Sequence, residues 1–149
     1  AKDAACEQIN VEATAVFQTI TLVVSDTVSL VYVDRIELDF TGYPSSPSSN
    51  LQIAVSTLYQ LPCLEPARYQ HATAYIQGFL TDGSASKDVT GQCSLASNDT
   101  DVVFVAASAK TRMQGIGPGA ASITATFYTL SAQATLHVQS AVVPVDDIS

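Results

Sequence analysis

The feature that most restricts this chain is a two-residue rhythm of apolar and polar side chains. Ile123, Ala125 and Phe127 alternate with Thr124, Thr126 and Tyr128, and Ala134, Leu136 and Val138 alternate with Thr135, His137 and Gln139. Successive side chains of a strand point to opposite faces, so this rhythm buries one face of a sheet and wets the other. The run Arg35-Ile36-Glu37-Leu38-Asp39-Phe40 follows the same rule, with charge on the wet face. Helix signals barely occur.

Further strands are expected over residues 11–17, 20–24, 28–33, 51–58, 69–80, 92–96 and 102–105, where Val, Ile, Thr, Phe and Tyr dominate several of the runs. Ser25-Asp26 reads as a turn inside the first group, and Asp82-Gly83 closes the long strand before it. Pro62-Cys63-Leu64-Glu65-Pro66 is a break. Gly42-Tyr43-Pro44-Ser45-Ser46-Pro47-Ser48-Ser49-Asn50 is too rich in Pro and Ser to pair in a sheet and reads as an exposed loop. Short strands separated by turns at this spacing predict an all-β fold, an immunoglobulin-like β-sandwich. At 149 residues the chain exceeds the roughly 100 of one such sandwich but falls short of two. One domain with additional N-terminal strands is therefore expected: strands over 1–34, the sandwich over 35–140, and a linker or the start of a next strand over 141–149.

Composition narrows the partners. Hydrophobic residues make up 47% and charged ones 13%, with Ser, Thr, Gln and Asn in place of the missing charge, which suits an extracellular or cell-surface protein. A net charge of −8 with six Lys plus Arg repels polyanions, so nucleic acid and anionic membranes are excluded as expected partners. No run reaches the 18 or more apolar residues of a spanning helix, so no membrane insertion is expected, and no signal-peptide pattern opens the sequence. Motifs of nucleophilic or metal-dependent hydrolysis are missing. Gly115-Ile116-Gly117-Pro118-Gly119 resembles a phosphate loop in composition alone, since no Lys follows it and it lies among strands. Neither an enzyme nor a cofactor is expected.

The runs Ala72-Thr73-Ala74 to Asp82-Gly83-Ser84, Asp88-Val89-Thr90, Ser97-Asn98-Asp99-Thr100-Asp101-Val102, Gly115-Ile116-Gly117-Pro118-Gly119-Ala120-Ala121-Ser122-Ile123-Thr124-Ala125 and Ala134-Thr135-Leu136-His137-Val138 together resemble the bacterial immunoglobulin-like domain, group 2. That family occurs in adhesins of the invasin and intimin type, and the resemblance covers roughly residues 65–140. It implies a surface module, with the glycine run crossing tightly before the next strand where a Cβ would clash. Leu95 stands where such domains often carry Trp, so the core there must pack differently.

Cys6, Cys63 and Cys93 have no metal-ligand spacing, and His71 and His137 stand alone. In an exported chain three cysteines suggest one disulfide and one thiol left over; the alternative is three buried thiols. Because Cys63 and Cys93 both fall inside the expected sandwich module, they form the preferred pair, leaving Cys6 unpaired or bonded to another molecule. Asn98-Asp99-Thr100 is an N-glycosylation acceptor in an expected loop, and Ser45, Ser46, Ser48 and Ser49 are candidates for O-linked sugars. Asp99, Asp101, Asp146 and Asp147 lack the ordered spacing of a calcium loop and read as solvated surface charge.

One internal echo organises the rest. Thr14-Ala15-Val16-Phe17-Gln18-Thr19 and the strand after it resemble Thr124-Ala125-Thr126-Phe127-Tyr128-Thr129 and its successor, offset by about 105 to 110 residues, one immunoglobulin-like repeat. The chain then comprises the last strands of one module, a complete module, and the first strand of the next. Spare strand edges need cover, most simply from another copy of the chain or an adjacent repeat. This leads to a structural subunit of a glycosylated extracellular fibre or stalk, assembled head to tail. The competing expectation is a self-contained adhesin module whose N-terminal strands fold back on their own domain.

Overall fold

A computed structural model describes residues 8–43, 54–62, 65–106 and 111–142. Among these residues eleven strands are formed: β1 (Gln8–Phe17), β2 (Ile20–Ser29), β3 (Val33–Tyr43), β4 (Thr57–Gln60), β5 (His71–Leu80), β6 (Lys87–Asp88), β7 (Ser94–Ser97), β8 (Val103–Val105), β9 (Arg112–Gly115), β10 (Gly119–Phe127) and β11 (Leu130–Val142). A 3-10 turn at Thr90–Gln92 is the sole helical element among the described residues.

From β3 onward the strands form two layers. One sheet has the order β4-β11-β10-β7; the other runs β3-β5-β9-β8, with β6 also paired to β5. The alternation seen in the sequence decides which side chains lie between them. β3 contributes Ile36, Leu38 and Phe40 to the core and leaves Arg35, Glu37 and Asp39 exposed. β5 contributes Ala72, Ala74 and Ile76, β10 contributes Ala121, Ile123, Ala125 and Phe127, and β11 contributes Leu136 and Val138. Leu58, Val103 and Met113 complete the fully buried set. The fold is an immunoglobulin-like sandwich preceded by two additional strands. Leu95 is half-buried and packs against this core.

The glycine crossing follows from steric crowding. A Cβ on Gly115 would lie 2.7 Å from the Cβ of Tyr69, and one on Gly119, at φ 153°, would lie 2.8 Å from Val102 Cγ2. Three local expectations are corrected. Ser25-Asp26 is not a turn, because β2 runs unbroken through it and pairs Asp26 with Val11 and Ser25 with Glu12; the chain reverses instead at Gln18-Thr19. Residues 92–93 belong to the 3-10 turn and its end rather than to a strand, as the Gln92 and Cys93 N–H groups bond back to the Val89 and Thr90 carbonyls. β9 was not foreseen, its Arg-Met-Gln-Gly sequence being too short and polar to show a strand rhythm. Residues 44–50, expected to form a loop, lie outside the described residues, as do 51–53 of the strand expected over 51–58.

The chain enters and leaves the sandwich at opposite ends. At the leading end Val33 pairs with Leu80, and the β10–β11 turn lies beside Gln92 and Cys93. At the trailing end Tyr43 pairs with His71, Gln60 bridges to Tyr69, and β11 reaches Val142 beside Gln60. The ten residues of β5 separate these ends by about 30 Å at the usual strand rise.

Candidate assembly surface

β1 and β2 form a two-stranded sheet of their own, paired antiparallel from Gln8 with Ser29 to Phe17 with Ile20. Its two-residue turn places Gln18 at φ 55°, the positive backbone angle that tight hairpins require. Directly paired residues share a face, and the two faces differ sharply. One carries Ile9 with Val28, Ala13 with Val24, Ala15 with Leu22, and Phe17 with Ile20, interrupted by Asp26 opposite Val11. The other carries Asn10 with Thr27, Glu12 with Ser25, Thr14 with Val23, and Val16 with Thr21. On this polar face the Thr27 hydroxyl donates to Asn10 Oδ1 at 3.2 Å.

Among the described residues nothing covers the apolar face. Phe17 is 77% exposed, Ile20 63% and Leu22 61%, and every residue over 9–32 is exposed. Burying one large aliphatic or aromatic side chain contributes about 1.5–3 kcal/mol. A two-stranded ribbon in water is marginal without such burial. This face is therefore the strongest candidate for contact with another layer.

The last hairpin of the sandwich shows what that layer looks like. Both hairpins close with two-residue turns 110 residues apart, so Ile9 with Val28 corresponds to Gly119 with Val138 and Phe17 with Ile20 to Phe127 with Leu130, which puts Ala15 on Ala125 and Val28 on Val138. The turns match as well, with Tyr128 at φ 50° where the first hairpin has Gln18. Even the ends correspond. β2 stops at Ser29, and its counterpart Gln139 marks the point where β11 shifts register against β4. In β10–β11 the equivalent face is covered by the β3-β5-β9-β8 sheet, and Phe127 is 8% exposed.

The other candidate residues are dispersed. Asn98 is exposed just after β7. Its Oδ1 accepts from the Ser122 N–H at 2.7 Å, while its own N–H donates to the Ser122 carbonyl at 3.1 Å. The side chain thus extends the pairing of β7 with β10 by one residue. Oδ1 is engaged, and Nδ2, the atom that bears an N-linked sugar, makes no hydrogen bond among the described residues. Asp99 Oδ1 accepts from the Asp101 N–H at 3.1 Å, tightening the same loop. Cys93 is a free, buried thiol whose Sγ donates to the Val89 carbonyl at 3.2 Å. Burial, with Asp88 adding to it, pushes its pKa up, which keeps it protonated and poorly reactive. Cys6, Cys63, Ser45, Ser46, Ser48, Ser49, Asp146 and Asp147 lie outside the described residues.

At the trailing end Tyr43 stacks on His71 at 6.1 Å between ring centroids, and the Arg112 guanidinium sits 5.1 Å over the Tyr43 ring. Burial, then the charge of Arg112, lowers the His71 pKa. Sequence reading missed this cluster because its members come from three strands distant in the chain. Next to it is an open groove lined by Leu61, Arg68, Tyr69, His71, Gln114 and Ile116. No helix among the described residues is long and apolar enough to cross a membrane.

No family model matches the chain, and no curated protein matches it. Among solved structures it is similar to an intimin mutant of EHEC O157:H7, with 15% identity over 73% of this chain and a TM-score of 0.39. The match spans 46% of that protein's chain. The immunoglobulin-like fold rests on the strand order of the two sheets.

Proposed function

We propose that this chain is a structural module of an extracellular or cell-surface fibre or stalk, joined end to end with neighbouring immunoglobulin-like modules through strand pairing. It works by mechanical connection and not by catalysis. The observation that carries this reading is the uncovered apolar face of β1–β2, which leads into the sandwich at one end while β11 departs at the other. Modules linked in this way stack in series, and each junction is a shared sheet instead of a loose tether. N-linked sugar at Asn98, which lies in the loop after β7 and bonds Ser122, would coat the outside of such a stack. O-linked sugar on Ser45, Ser46, Ser48 and Ser49 belongs to the same proposal.

Electron microscopy of the protein purified from its source tests this. Filaments or rods with an axial repeat of one or two sandwich lengths, about 30–40 Å each, are expected from the strand rise. Dispersed compact particles that bind a ligand would favour the adhesin alternative and sink the structural one.

A further inference from the structure

We infer that β1–β2 is the closing hairpin of a second sandwich, whose other strands belong to a preceding repeat of about 110 residues in the same polypeptide. This rests on the proposed serial function and names the partner at its junction. The argument is one of side-chain pattern on aligned turns. With the two turns superposed, the exposed face of Ala13, Ala15, Phe17, Ile20 and Val28 falls on Ile123, Ala125, Phe127, Leu130 and Val138, the face that β10–β11 turns to its core. The matching surroundings can be written down. The free edge of β1 receives a short antiparallel strand over residues 13–16, as β10 receives β7 over 123–126. The free edge of β2 receives a parallel strand over 27–29, as β11 receives β4 over 137–139. Phe17, Ile20 and Leu22 then face an opposing sheet like that of β3 and β5.

A second copy of this chain fits less well, because its own β10–β11 already fills the position between β7 and β4. Asp26 adds a condition. It stands where β11 has the fully buried Leu136, so the covering strands must bring a cation or an amide donor to meet its carboxylate.

Amide hydrogen exchange on the complete polypeptide, followed by peptide mass spectrometry, tests the assignment. The 149-residue chain alone serves as comparator. In the complete polypeptide β1–β2 is expected to exchange as slowly as β10–β11, at every protein concentration. In the isolated chain β1–β2 should exchange at least a hundredfold faster than β10–β11. Three results would overturn the inference: fast exchange of β1–β2 in the complete polypeptide, protection that disappears on dilution, or protection already present in the isolated monomer. The first would leave the hairpin without a partner, the second would assign it to another copy, and the third would place it on its own sandwich. Filaments seen by microscopy together with dilution-sensitive protection would retain the serial function while removing this partner.

Discussion

The two hairpins of this molecule share a register and a turn but live in opposite environments. Phe127 closes a packed core, while Phe17, its counterpart, lies 77% exposed on a ribbon that no described residue covers. The contrast separates two things that an alternating sequence is often taken to say at once. The pattern determines that a face is apolar and which residues share it; what covers that face depends on strands elsewhere.

The largest effect that would sharpen this contrast comes from truncating the equivalent phenylalanines in the 149-residue chain. Phe127→Ala removes a buried ring and should lower the unfolding free energy by about 3–5 kcal/mol. Phe17→Ala should change it by no more than about 0.5 kcal/mol. Urea unfolding of both variants provides the measurement. Equal losses would mean that the first hairpin is packed after all, and the contrast would collapse.

Gly119 gives the next largest effect. Its counterpart in the first hairpin is Ile9, which has no neighbour to avoid and is 46% exposed. Gly119→Ala must place a Cβ at φ 153°, 2.8 Å from Val102, and should cost about 1–3 kcal/mol. Ile9→Ala should be close to neutral in the same unfolding assay. A neutral Gly119→Ala would show that Val102 moves aside freely and that the crossing is less crowded than its geometry indicates.

How much of this was legible in the sequence follows from the same contrast. Alternation assigned the faces of β3, β10 and β11 correctly, because each residue pattern is set by one sheet and one core. The expected echo of Thr14-Ala15 and Phe17 in Thr124-Ala125 and Phe127 coincides with two hairpin turns 110 residues apart, an offset that the cross-strand pairs define. Ser25-Asp26 misled because turn-forming residues also occur in exposed strands, where nothing penalises them. β9 and the Tyr43, His71 and Arg112 cluster were hidden for a different reason. Their neighbours are brought together by tertiary pairing, which no local window contains.

Asn98 offers a smaller test at the edge of the same sheet. Ser122 has its N–H satisfied by Asn98, whereas Glu12, its counterpart in β1, has no such partner among the described residues. Asn98→Ala should cost about 0.5–1.5 kcal/mol by losing that hydrogen bond. Thr100→Ala leaves the bond in place and should be neutral to stability. Both variants abolish the glycosylation acceptor, so in protein secreted by a glycosylating host both should lose the same sugar mass. A mass unchanged in both would remove Asn98 as a glycan site and leave its structural role intact.

The smallest expected effect is a pH dependence confined to one of the two regions. His71 has a folded pKa below its ordinary value of 6.5, chiefly through burial and then through Arg112. The unfolded chain therefore takes up its proton first as the solution is acidified. Stability is fully present above pH 6.5 and declines as the pH falls from there through the lowered folded value. β1–β2 contains no histidine, so it has no group of this kind. Exchange protection of β5 and β9 should weaken modestly between pH 7 and pH 5, after correction for the intrinsic exchange rate, while β1–β2 stays unchanged. His71→Gln should flatten the profile. A profile that persists in His71→Gln would assign the acid sensitivity to carboxylates and detach it from the trailing-end cluster.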